Sequence, residues 1–342
     1  MESPTNESYC IKIYKANGEK IRRLLHSSNL INRELKIVRE GDYILIPVND
    51  PNKALDVMRS SGVDFTLCRR EFPVYKRQTV IERIGGYIIV GDIAIINFKH
   101  DRDLEYYKYL GQKLLNDIPR VKSVYLKMGV KGIYRIPELV HLAGERRTTT
   151  MFKEYGLIFN VDVSRTYVNP RLAYEHRRVA EEIPEGSLVL DMFSGIGGFS
   201  IHIAALNNAK ILSSDINHYA IYYLYKNYIS NKKRLKGYIN MIRVDAKKLP
   251  DVIKPVFTQI IMNNPTLSKT FTNTACKLFD KRVIVYYYTL TISRLEAEDE
   301  ALSSFTSNCK QPISIDILDS RRVLEYSPTH GIYNVKLAIR KL

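Results

Sequence analysis

Residues 188–200 read Leu-Val-Leu-Asp-Met-Phe-Ser-Gly-Ile-Gly-Gly-Phe-Ser: an apolar run, an acid, a turn holding three glycines, and the start of an apolar helix. Gly195, Gly197 and Gly198 let the backbone approach a ligand where a Cβ would collide, and the turn feeds a helix from Phe199 to Leu206. This is the strand–turn–helix unit of a nucleotide-binding sheet. A dinucleotide site calls for G-x-G-x-x-G and a phosphate on the helix N-terminus, whereas the spacing here is D-x-F-x-G-x-G-G-F with Asp191 at the strand tip. An acid there suits ribose hydroxyls, an amino group and a sulfonium, with no phosphate, and so points to S-adenosylmethionine.

Two further acids support that reading. Residues 210–216 form a second strand ending in Asp215, roughly 20 residues on, where such folds place a carboxylate against ribose hydroxyls. Asp245 closes a third strand and is placed to receive the adenine amino group. Phe193, Ile216 and Ala246, beside these acids, are counted in the same cofactor set. Any one acid alone reads better as a strand-end cap or turn residue; three in step with a glycine turn do not.

From about Arg178 strand and helix patterns alternate. Short apolar strands are expected at 188–191, 211–215, 241–244, 259–262 and 283–288, with helices such as 219–230 and 267–279 between them. Runs at 313–317, 322–326 and 333–337 recur without helices and predict an antiparallel hairpin finishing the sheet. Upstream, residues 9–70 read as a small α+β unit, with strands at 9–14 and 41–47 and helices at 18–28 and 53–60. The charged stretch 69–78 reads as exposed linker. Next come β-rich runs over 87–97, a helix at 103–117, strands at 123–127 and 156–162, and an arginine-bearing loop over 132–150. The expected architecture is α/β: a class I (Rossmann-like) S-adenosylmethionine-dependent methyltransferase domain over 178–342, preceded by two smaller α+β domains over 1–72 and 73–177.

Fifty-two Lys and Arg against 36 Asp and Glu give a net charge of +16, which favours a polyanionic partner over an acidic protein or a neutral metabolite. No run approaches the ~18 apolar residues of a spanning helix, and the polar start is no signal peptide, so a cytosolic protein is expected. Cys10, Cys68, Cys276 and Cys309 lie far apart, and the seven histidines are scattered. The expectation is buried thiols, with neither disulfides nor a metal site.

Ligands in such sheets sit at the carboxyl ends of the strands, which places Asn263, Asn264 and Pro265 opposite the glycine turn. Amides there can meet the edge of a flat base, with Pro265 fixing the chain beside it; a simple turn is the other reading. In 165–178, Pro170 opens a helix that sets Arg171 and Glu175 on one face, with His176 and Arg177 adjoining. Those residues suit binding and deprotonation, or an ordinary ion pair. Lys226 to Lys236 suits phosphates or a helix C-terminus, and Tyr286, Tyr287 and Tyr288 suit base stacking or a core strand.

Taken together, 89–96, Gly132-Ile-Tyr-Arg-Ile-Pro137, Glu154-Tyr-Gly through Asp162, Tyr167-Val-Asn-Pro-Arg-Leu172, 191–199 and 261–265 resemble the archaeal and eukaryotic family of tRNA guanine-N1 methyltransferases and its wyosine-synthesis relatives. The family acts on the guanosine 3′ to the anticodon, position 37. The resemblance implies that Glu175 is the general base, that Arg135 donates to the guanine O6, and that Asn263 and Pro265 hold the base. It places Tyr167 by the cofactor, and Arg171, His176, Arg177 and Asn264 with Pro265 on the substrate side. These roles fit what the chemistry requires, because guanine N1 carries a proton and negative charge grows on O6 as it leaves. The implied partner is tRNA, held at its anticodon loop and, by the N-terminal domain, at its elbow; the implied enzyme is a monomer without metal. Two positions depart from the family: Asn264 stands where it usually has Leu, and His176 where it usually has Arg. They keep open methylation of 4-demethylwyosine at C7, alone or as a second activity, and aminocarboxypropyl transfer. A non-catalytic tRNA-binding protein is the alternative of another class.

Overall fold

The computed structural model describes residues 5–74, 86–99, 102–132, 134 and 136–342. The chain divides into two compact units, Met1–Gly85 and Gly86–Leu342.

In the first unit, β1 (Thr5–Tyr14), α1 (Gly18–Ser27), β2 (Val38–Glu40), β3 (Tyr43–Pro47), α2 (Pro51–Arg59) and β4 (Phe65–Pro73) form an antiparallel sheet in the order β2-β3-β1-β4 with two helices. Asp50 caps α2 through Lys53 N–H at 3.1 Å, and Pro51 follows in the first turn, where no amide hydrogen is needed. Ile21 and Leu25 from α1 and Ala54 and Met58 from α2 pack on Ile11, Ile13 and Ile46. The stretch expected as linker is a strand as far as Pro73: Phe72 is fully buried and the charges lie along an exposed sheet edge, where they guard against edge-to-edge pairing. Residues 75–78 lie outside the described residues. The cysteines also depart from expectation. Cys10 and Cys68 face each other across β1 and β4 and form a disulfide.

The second unit begins with β5 (Tyr87–Val90), β6 (Ile93–Asn97), α3 (Leu104–Asp117), β7 (Ser123–Lys131) and β8 (Ile136–Gly144), a sheet in the order β5-β6-β7-β8. β8 falls where a loop was expected. Its Pro137, Glu138 and His141 break the apolar alternation, and its register with β7 shifts twice. A hairpin of β9 (Thr149–Glu154) and β10 (Leu157–Asp162) and the helix α4 (Ala173–Glu182) follow.

The main sheet is assembled from β11 (Leu188–Asp191), α5 (Gly198–Leu206), β12 (Lys210–Asp215), α6 (His218–Asn231), β13 (Tyr238–Arg243), α7 (Leu249–Val252), β14 (Gln259–Met262), α8 (Thr272–Cys276), β15 (Arg282–Thr291), α9 (Arg294–Asn308), β16 (Ile313–Glu325) and β17 (Gly331–Lys341). Its seven strands run in the order β13-β12-β11-β14-β15-β17-β16, parallel except where β17 pairs antiparallel with β15 and β16. Both faces are covered. Val189, Ile261, Tyr286 and Tyr288 enter one core, while Leu190, Ile260, Met262 and Tyr287 enter the other. The three tyrosines are therefore core residues. The runs at 313–317 and 322–326 form one strand with two register shifts, and only the short α8 and a 3₁₀ turn occupy 267–279. A second disulfide joins Cys276 at the end of α8 to Cys309 just beyond α9.

α6 is docked by asparagine side chains that stand in for a neighbouring strand. Asn231 accepts from Ile158 N–H at 2.8 Å and donates to its carbonyl at 2.7 Å, and Asn227 does the same with Asn160 at 2.6 and 3.2 Å. The free edge of β10 is satisfied in this way.

Candidate functional site: a row of strand tips facing a clamped glutamate

Adjacent strands β13, β12, β11 and β14 end in a row, presenting in turn Asp245, Asp215, Asp191 to Gly195, and Asn263 to Pro265. The residues expected to hold the cofactor thus share one end of one sheet.

Asp191 is completely buried. Its Oδ2 accepts the Ser200 hydroxyl at 2.7 Å, and Ser200 in turn accepts Ser213 at 2.7 Å; Oδ1 has no hydrogen-bond partner among the described residues. Burial pushes this carboxyl up to about 6, outweighing the Ser200 hydrogen bond. A buried carboxylate with one orphaned oxygen fits a ligand carrying a positive charge. Asp215 is raised by burial, against the backbone N–H groups of Asn217 at 2.8 Å and Gly195 at 2.9 Å that it accepts. Those bonds fix its side chain under the turn and leave lone pairs for hydroxyls. Asp245 caps the next 3₁₀ turn through Lys247 N–H at 3.0 Å. Phe193 packs edge-on against Phe271 at 5.0 Å, Ala246 is buried, and Ile216 is half-buried beside Asp215.

The glycines divide their work. Gly195, at φ +53°, opens onto empty space, the side on which a ligand can lie. Gly197, at φ +95°, has no room for a Cβ beside Leu224 of α6, and a Cβ on Gly198 would enter the His176 ring. Two of the three glycines expected to approach the ligand thus serve the packing of the protein itself.

On the other side, Asn169 caps a 3₁₀ turn at Pro170–Leu172 that runs into α4, as Pro170 predicted. Glu175 is buried, and its partner is Arg178 rather than Arg171, which is exposed. Arg178 Nε donates to Oε2 at 2.8 Å and Nη2 to Oε1 at 2.7 Å; the Tyr288 hydroxyl donates to Oε1 at 2.6 Å. Arg178 Nη2 also donates to Asn334 at 3.1 Å, and Arg178 pairs with Glu182. Burial works against the charge on Arg178, but the Glu175 carboxylate holds it protonated; burial likewise pushes the Tyr288 hydroxyl well up, so it stays a donor. Three of the four lone-pair positions on Glu175 are filled, leaving one on Oε2. Tyr287 pairs with Met262, the last residue of β14, so Tyr288 lies level with Asn263 and brings Glu175 to the Asn263–Pro265 end of the row.

Four expected residues remain. Arg135 lies outside the described residues. Tyr167 is half exposed, and Arg177 pairs with Glu181 at 2.7 Å. His176 turns into the core instead of toward a substrate: its Nδ1 meets Glu154 at 2.8 Å, and His202 Nε2 meets the same oxygen at 3.1 Å. Burial disfavours charge on Glu154, yet the two imidazoles hold its carboxyl below the usual range, while burial pushes His202 down. This two-histidine, one-carboxylate cluster, within 4.8 Å, was invisible in the scattered histidines of the sequence. Asn334, Glu154 and His202 were missed because each acts through a partner distant in the chain; Arg178 had a local clue in the acids Glu175 and Glu182 about it.

The sheet order, the glycine turn and the acids at three adjacent strand tips define a nucleoside-cofactor enzyme of the class I methyltransferase fold. Residues 150–318 match the TRM5/TYW2 methyltransferase domain, 10–56 the tRNA methyltransferase 5 N-terminal domain, and 77–148 the TYW2 N-terminal domain. The chain is 32% identical to the tRNA (guanine(37)-N(1))-methyltransferase Trm5b of Methanocaldococcus jannaschii, over 97% of this chain and 99% of that one. It is 40% identical to the tRNA 4-demethylwyosine(37)-methyltransferase Taw21 of Saccharolobus solfataricus over 42% of this chain and 56% of that protein. Among solved structures, the complex of aTrm5 with tRNALeu superposes with a TM-score of 0.66 at 30% identity, covering 96% of this chain and 99% of that one. The chain belongs to the TRM5/TYW2 methyltransferase family.

Proposed function

We infer that this protein is an S-adenosylmethionine-dependent tRNA (guanine(37)-N1)-methyltransferase. The observation that carries the reading is the row of strand-tip carboxylates with a buried glutamate held at the β14 end, in a chain with a full-length relative of that activity. The cofactor supplies a methyl group already activated on a sulfonium, so the chemistry calls for no metal. Asp191 offers its unpartnered oxygen to the cationic end, Asp215 takes the ribose hydroxyls, and Asp245 takes the adenine amino group. Asn263 and Pro265 seat the extruded base. Glu175 accepts the N1 proton on the remaining lone pair of Oε2, and Arg135 donates to O6 as charge builds there. Extruding the base costs stacking energy, which contacts elsewhere on the tRNA offset. Residues 1–72 supply such contacts at the elbow and 73–177 those near the site; the enzyme works as a monomer in the cytosol.

A second reading has its own support. The chain is 40% identical to a 4-demethylwyosine methyltransferase over 42% of its length, and Asn264 and His176 depart from the pattern of the family it resembles. One experiment separates them. The protein is incubated with labelled cofactor and either unmodified tRNA or tRNA carrying 4-demethylwyosine, and the nucleosides are identified by mass. N1-methylguanosine from the first substrate is expected; label confined to the second would replace the main reading. Removing residues 1–72 is expected to weaken methylation of whole tRNA more than of an anticodon stem-loop, and equal losses would refute the elbow contact.

A further inference from the structure

Between Asp215 and Asp245 the sequence has no Asp or Glu, but six Lys and Arg and six of the 24 tyrosines. The structure gathers much of this onto one surface. The outer face of α6 carries His218, Tyr222, Tyr225, Lys226 and Ile229 at helical spacing; Lys232 and Lys233 extend it, and Tyr238 of the edge strand β13 stands beside Tyr228 at 6.5 Å. Tyr222 is 52% exposed and Tyr225 and Tyr238 are each 56% exposed. Among the described residues none of the six cations has a carboxylate partner, and Lys226 instead lies 5.5 Å from the Tyr222 ring centroid. Cations complementing the helix dipole would account for Lys232 and Lys233. They would not account for Lys226 in mid-helix, for the tyrosines around it, or for the absence of any acid. The helix is not loosely held, since Asn227 and Asn231 lock its inner side to β10. Its first residue, His218, packs against Tyr134 and comes three residues after Asp215. The face therefore starts at the rim of the site and runs roughly 20 Å down the side of the sheet.

We propose that this face is an RNA-gripping surface: Lys226, Lys232 and Lys233 neutralise phosphates, and Tyr222 and Tyr225 lie flat on riboses or bases of the tRNA arm whose loop enters the site. Fixed cations interleaved with aromatic planes suit a polyanion carrying flat rings, and an acid-free strip continuous with the site suits the same molecule. The proposal rests on the tRNA reading above and adds where the arm is held.

The test uses the full-length protein and an unmodified tRNA transcript, with binding measured without cofactor at several salt concentrations. Lys226→Ala/Lys232→Ala/Lys233→Ala is expected to weaken binding at least tenfold and to reduce the slope of log affinity against log salt by about 2 to 3. Tyr222→Ala/Tyr225→Ala is expected to weaken binding about tenfold with the slope unchanged. Both variants should keep their melting temperature, their cofactor affinity and their turnover at saturating tRNA. Affinity and slope within twofold of the parent in both variants would overturn the proposal and leave a surface for something other than RNA. Because binding is read without chemistry, a parent that binds tRNA but methylates no guanosine would sink the functional reading and not this one.

Discussion

Asp191 and Glu175 are both buried carboxylates in one unit, and they are neutralised in opposite ways. Asp191 has a single hydroxyl donor, one orphaned oxygen and a carboxyl raised to about 6. Glu175 carries its own counter-ion: a bidentate guanidinium, with a tyrosine hydroxyl as third donor. On the function proposed above, the Asp191 side lacks a positive charge that a cationic cofactor would supply, whereas the Glu175 side has its donors in place before a base arrives.

The comparison breaks most severely at Arg178. Arg178→Met strands Glu175 without a counter-charge and is expected to cost about 3–5 kcal/mol of stability, read by denaturant unfolding. A loss under 1 kcal/mol would show that the acceptor side does not depend on this pair. Next is Gly197→Ala, which forces a Cβ into Leu224 at a left-handed φ. It should cost about 2–4 kcal/mol, whereas Gly195→Ala, facing open space, should mainly weaken cofactor binding. Similar stability losses in both would erase the distinction between the two glycines. Glu175→Gln keeps the shape and removes the base. Turnover should fall roughly 10²-fold or more with the cofactor dissociation constant unchanged, and retained turnover would remove Glu175 from that role.

The smallest effect is in pH. The carboxyl of Asp191 is raised above its ordinary value of 3.8, so its contribution to stability in the absence of ligand is full below that value and is lost as pH rises through about 6. A cationic cofactor needs the ionised form, so affinity should move the other way, falling toward tenfold per unit as pH drops below 6. Calorimetric titration across pH 5 to 8 should show this dependence in the parent and not in Asp191→Asn. A pH-independent parent would mean that the orphaned oxygen does not face the charge.

The row of strand tips was legible because its signals are local. Asp191, the glycine turn, Asp215 and Asp245 each end a short apolar run, and parallel strands in a doubly wound sheet carry such ends to one edge. The helix carrying Glu175 was also visible, through Pro170, but its electrostatics were not. The expected partner Arg171 lies in the 3₁₀ turn before α4 and is exposed, whereas Arg178 on the buried side takes the carboxylate. The N-terminal strand β4 was misread because edge strands carry charge, and β8 because register shifts destroy alternation. The disulfides could not be seen at all. Cys10 and Cys68 are 58 residues apart, and only strand pairing sets them face to face.

Sequence alone determined the strand tips, the acids on them and the order of their turns, because a two-residue period and a glycine's freedom act over a few residues. Tertiary structure decided which charges meet: Glu175 with Arg178 and Tyr288, Glu154 with His176 and His202, and β10 with the asparagines of α6. The reason is physical. A buried charge or amide must find a partner within about 3 Å, and which group lies that close depends on how distant elements pack.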